Sequence, residues 1–84
     1  MSSGYRYVVE QAVAERLLRL SARQIRSLLE LFQHLADNPD EAGAQWAIDR
    51  EGRKNQAVTH GPFTVVYWPD HAVRELRVVA VELT

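Results

Sequence analysis

The chain has 84 residues, 46% of them apolar and 25% charged, with a net charge of −1 at pH 7, a sequence pI of about 6.3 and no cysteine. That composition excludes a disordered tail, a disulfide framework and a thiolate metal site, and it lacks the basic excess of a domain that grips nucleic acid unaided. No run approaches the roughly 20 apolar residues of a membrane span, and Met1-Ser2-Ser3-Gly4 has no signal-peptide character, so the expected location is cytoplasmic.

A single domain over residues 1–84 is expected, with so little core in reserve that a partner subunit would stabilise it. Tyr5, Tyr7 and Val9 alternate with Arg6 and Val8, a period of two that predicts a short strand. From Gln11 to Leu20 the spacing of Val13, Leu17, Leu18 and Leu20 changes to a helical period, with Arg16 and Arg19 on the wet side. Ser21 then offers a hydroxyl to an unpaired amide of a new first turn, and Gln24 three residues on completes a capping box. The second helix carries Ile25, Leu28, Leu29, Phe32, Leu35 and Ala36 as one apolar stripe, widened by Leu31. It ends at Asn38-Pro39, because proline lacks an amide donor and pushes the residue before it out of the helical region.

Asp40 to Gly52 reads as a connection holding one helical turn around Gln45 to Ile48, with Trp46 and Ile48 as its anchors to the core. Lys54 to His60 becomes strand-like at Ala57, Val58 and Thr59, Gly61-Pro62 punctuates the chain, and Phe63 to Trp68 is the return strand of a hairpin. Pro69, Asp70 and His71 supply the next turn. The last strand is expected over Val73 to Leu83, where Val78, Val79, Ala80 and Val81 in succession imply that both of its faces are at least partly covered. Alternation puts Phe63, Val65 and Tyr67 on one face and Thr64, Val66 and Trp68 on the other, so only one of Tyr67 and Trp68 meets the main core. The fold class is therefore α+β, an antiparallel sheet packed against two helices.

Few side chains are equipped for chemistry. His60, near the hairpin turn and close in sequence to Arg53 and Lys54, is the best-placed general acid or base, against the plainer reading of a solvated turn residue. His34 and His71 have weaker settings. The three histidines lack metal-ligand spacing, and the dispersed glycines form no phosphate-cradling loop, so neither a metal nor a cofactor is expected. Arg50, Arg53 and Lys54 would meet Arg74 or Arg77 on one sheet face as a cationic patch for phosphate or an acidic protein segment, unless they form a solvated rim. Trp46, Tyr67 and Trp68 are candidate stacking platforms or, more simply, core and interface anchors.

In order along the chain, the Tyr5 strand, Leu35-Ala36-Asp37-Asn38-Pro39, Gly61-Pro62-Phe63-Thr64-Val65-Val66-Tyr67 and Leu76-Arg77-Val78-Val79 resemble the RelE/ParE family of type II toxin-antitoxin toxins. The resemblance implies the order strand-helix-helix-strand-strand-strand and a small cognate antitoxin that covers the toxin. It also implies growth inhibition or plasmid stabilisation, either by messenger RNA cleavage on the ribosome or by inhibition of DNA gyrase. The family commonly has Arg or Lys on the strand before the hairpin turn, where this chain has Asn55, Ala57 and Thr59, and an arginine after the aromatic, where it has Thr64. Its C-terminal basic residue and tyrosine have no counterpart in Glu82, Leu83 and Thr84. Three readings follow. One is a toxin that acts by protein binding. Another is an endoribonuclease with a displaced set, Arg53, Lys54 and Arg77 on phosphate and His60 as acid or base. The third is a toxin-derived interaction domain without toxicity. A second copy of the chain is a further expected partner.

Overall fold

The computed structural model describes residues 4–40, 45–48, 52 and 54–83. Among them the chain forms β1 (Arg6–Val9), α1 (Gln11–Leu17), α2 (Ala22–Asp37), β2 (Gln45–Ile48), β3 (Lys54–His60), β4 (Phe63–Asp70) and β5 (Glu75–Leu83). The strands make one sheet in the order β1-β5-β4-β3-β2. Pairing is antiparallel from β2 through β5, while β1 lies parallel to β5, with Tyr7 beside Leu76 and Val9 beside Val78. The α+β class and the two helices are as the sequence indicates; the parallel edge and a fifth strand are not.

Local chemistry accounts for the helix ends. The first helix stops at Leu17 instead of reaching Leu20, because the amides of Arg19 and Leu20 turn back to the carbonyls of Arg16 and Leu17, three residues behind each, and close a tighter turn. Ser21 then caps α2 as expected: its Oγ accepts from the Gln24 amide at 3.1 Å and the Gln24 side chain accepts from the Ser21 amide at 3.1 Å. At the other end the Asn38 amide and its side-chain Nδ2 both donate to the His34 carbonyl, satisfying an acceptor that the helix leaves open.

The core lies between the helices and one face of the sheet. Val13 and Leu17 from α1 and Leu28, Phe32, Leu35 and Ala36 from α2 pack on Phe63, Val65 and Tyr67 of β4 and on Leu76, Val78 and Val81 of β5. Tyr67, not Trp68, points into that core, and the Tyr7 ring meets Phe32 at 5.7 Å between centroids. The apolar run in β5 is explained by a bulge. Val66 pairs with Ala80 but Tyr67 pairs with Val78, so Val79 is the extra residue, and the shift of phase lets both Val78 and Val81 face the helices.

One turn and one segment correct the sequence reading. Gln45–Ile48 is an edge strand paired to β3, not a helical turn, and Ile48 is 67% exposed instead of anchored. The backbone of Trp46 lies in that strand. Pro69 and Asp70 belong to β4, opposite Leu76 and Glu75, so the turn falls at residues 71–74 and β5 starts at Glu75 instead of Val73. The β3–β4 ladder ends at Tyr67, leaving Pro69 on a local edge where a missing amide does no harm. Asp70 Oδ1 then accepts from the Ala72 amide at 3.2 Å, and Arg74 closes the turn at φ 55°. In the β3–β4 hairpin Gly61 has φ 59° while the Pro62 ring fixes a negative φ, the combination of a type II′ turn.

Candidate functional site

Sheet register divides the candidate residues between two faces. On β3, Gln56, Val58 and His60 stand opposite Tyr67, Val65 and Phe63 and share their helix-facing side. His60 is half-buried there, and its Nε2 lies 2.8 Å from the Ser27 hydroxyl of α2. Sequence gives no sign of this pairing, because Ser27 and His60 meet only through the packing of α2 across the end of β3. Tyr67 donates its hydroxyl to Gln56 Oε1 at 3.3 Å on the same side.

The second face carries Trp68 and Arg77, which are cross-strand partners, with the Arg77 guanidinium 6.0 Å from the Trp68 ring centroid. That contact lies at the long end of the cation–π range. Arg77 also donates to Glu75 Oε1 at 2.9 Å, and Arg6 of the neighbouring β1 donates to Glu75 Oε2 at 3.1 Å. One carboxylate thus holds two guanidiniums. Glu75 is the residue that the sequence reading missed, although its signal is visible: a glutamate two places before an arginine on a strand shares its face. By the same alternation Asp70 and Glu82 belong to this face, so its charges are mixed.

Arg74 lies apart from that cluster, exposed in the 71–74 turn, with Nη1 3.1 Å from where a Cβ on Gly4 would stand. Nearby, His71 shares a hydrogen bond and an edge-on ring contact with Tyr5. The structure therefore brings Arg77 and Trp68 together, separates both from His60 by the thickness of the sheet, and leaves Arg74 at its end. Lys54 occupies the first position of β3, opposite Ile48. Arg50 and Arg53 lie outside the described residues, so the patch they would complete is not described either. Among the described residues no three His, Asp or Glu side chains converge as metal ligands, and no helix is long and apolar enough to cross a membrane.

No protein-family model matches the chain, and no curated protein matches it by sequence. Solved structures do match. A chain of the toxin–antitoxin complex RelBE2 from Mycobacterium tuberculosis is similar with a TM-score of 0.76 at 18% identity, covering 95% of this chain and 91% of that one. A chain of the RelE–RelB complex from Pyrococcus horikoshii OT3 gives a TM-score of 0.66 at 16% identity, covering 94% and 93%. The chain has a RelE-like fold.

Within this RelE-like sheet, Asn55, Ala57, Thr59 and Thr64, the positions where the resemblance leads one to expect cations, share the second face with Trp68 and Arg77. Asn55 and Ala57 are buried there. Continuing the β3–β4 register by one step brings Asn55 beside Trp68. Among the described residues, neutral, short side chains thus occupy the middle of the face, and the guanidiniums of Arg6 and Arg77 stand at its β1–β5 side, tied to Glu75.

Proposed function

We propose that this protein is the toxin of a type II toxin–antitoxin module, held in check by a small antitoxin in the cytoplasm and acting on its cellular target by protein binding. The observation that carries the reading is the likeness of nearly the whole chain to chains of two toxin–antitoxin complexes, one bacterial and one archaeal. The second face of the sheet is the contact surface in this account. Trp68 laid near Arg77 is the kind of aromatic and arginine pair that anchors protein interfaces.

Geometry favours this over the endoribonuclease reading. Phosphate cleavage needs unpaired cations aimed at the developing charge, with an acid or base on the same side. Here Arg77 is engaged by Glu75, and His60 bonds Ser27 on the opposite face. The test is induction of the chain in bacteria with mapping of transcript ends during arrest. Intact messages and a loss of toxicity in a folded Trp68→Ala variant are expected. Messages cut at defined sites, with toxicity lost in His60→Ala, would transfer the assignment to the endoribonuclease. A gyrase-like target and a translational one are then separated by whether DNA supercoiling or protein synthesis fails first.

A further inference from the structure

The helix α2 has a wider apolar surface than the sheet uses. Leu28, Phe32, Leu35 and Ala36 are buried against the core, but Ile25 and Leu29 sit on the flank of that stripe and are only half-buried. Together with Ala22, Arg26, Glu30 and Gln33 they line a shallow groove open to solvent. At 100° per residue these six positions cluster on one side of the helix, roughly a third of a turn away from the core-facing side. The groove extends over 12 residues of α2, roughly 18 Å.

The two charges of the groove fit each other in a particular way. Among the described residues the ion pairs are those of Glu75 with Arg6 and Arg77, and Arg26 and Glu30 make none. Within one helix they are four apart in the less favourable order, cation first. In an antiparallel pair of helices the relation changes. A two-fold axis at the level of Leu28 sets position 26 of one helix beside position 30 of the other, on the same flank, and does so twice. The same axis brings Ile25 and Leu29 of each copy into the centre and Ala22 opposite the region of Gln33. The stripe is thus self-complementary in charge and in apolar content, as an isologous contact requires.

We propose that α2 is the contact of a symmetric dimer of this chain, in which Arg26 of each copy pairs with Glu30 of the other across a seam of Ile25 and Leu29. The inference does not depend on the toxin reading. One helix face is at the low end of interface size, so the association is weak and concentration-dependent. A partner helix of another protein in the groove is the alternative occupant.

Sedimentation equilibrium of the full chain from about 10 μM to 1 mM tests it. The expected result is a monomer–dimer equilibrium whose dissociation constant rises about tenfold in Arg26→Glu and in Glu30→Arg, since each sets two pairs of like charges together. The double variant R26E/E30R restores the dimer, and a mixture of the two single variants forms a heterodimer in preference to either homodimer. Circular dichroism confirms that each variant is folded. A chain that stays monomeric at all these concentrations overturns the proposal and leaves the groove to a foreign helix. A dimer indifferent to both swaps overturns it as well, by placing the interface elsewhere.

Discussion

Replacing Glu75 by glutamine removes the charge that pairs with Arg6 of β1 and with Arg77 of its own strand on the second face. The Glu75 side chain is 14% exposed and that of Arg77 35%, so their 2.9 Å contact is partly shielded from water. A hydrogen bond between charged groups in such a setting contributes about 1.5 to 2 kcal/mol. Arg6 is 79% exposed, and its 3.1 Å pair adds only about 0.5 kcal/mol. The expected loss in Glu75→Gln is therefore about 2 kcal/mol, which for a domain of this size lowers the melting temperature by roughly 10 °C. Urea denaturation followed by tryptophan fluorescence measures it, with Arg6→Ala as the comparison, expected to lose less than about 1 kcal/mol. In 1 M salt the Arg6 share vanishes while most of the Arg77 share remains, because screening acts chiefly on exposed pairs. A loss below about 0.5 kcal/mol in Glu75→Gln would refute the claim that this carboxylate stabilises the fold through the two guanidiniums it holds.

Three further substitutions test the fold around the site. Ser21→Ala removes the hydroxyl that accepts from the Gln24 amide, while the backbone amide of residue 21 can still donate to the Gln24 side chain, and should cost about 1 kcal/mol by thermal denaturation, with the native structure kept. Gly61→Ala forces a side chain into φ 59° and should cost roughly 1 to 2 kcal/mol, read from the urea midpoint; a neutral result would mean that the β3–β4 turn is not the type II′ form. Phe32→Ala empties the centre of the core and should cost about 3 to 5 kcal/mol, enough to leave an 84-residue domain largely unfolded at 37 °C by circular dichroism.

What sequence conveyed and what it withheld divide along physical lines. The α2 boundaries were legible because both ends are local chemistry, a serine with glutamine three residues on and an asparagine before proline. Alternation also grouped Phe63, Val65 and Tyr67 on one face of β4 and left open which face meets the core; the structure makes it that one. By contrast, four residues at Gln45–Ile48 contain too little periodicity to declare a strand, and their state is set by pairing with Lys54–Ala57. The parallel pairing of β1 with β5 joins segments about seventy residues apart, and no local pattern encodes it. The bulge at Val79 was visible only as an apolar run, because a register shift leaves no local mark in the sequence. Of the candidate site, Trp68 and Arg77 were singled out separately by residue type, whereas their cross-strand pairing and the Ser27 contact that holds His60 on the other face arise from register and tertiary packing.

The toxin reading is tested most directly by growth. Bacteria in which the chain is induced alone should stop dividing, and co-expression of its cognate antitoxin should restore growth while the two proteins co-purify. Unimpaired growth in cells that demonstrably accumulate the folded chain would contradict the account and leave the RelE-like fold as the scaffold of a non-toxic interaction domain.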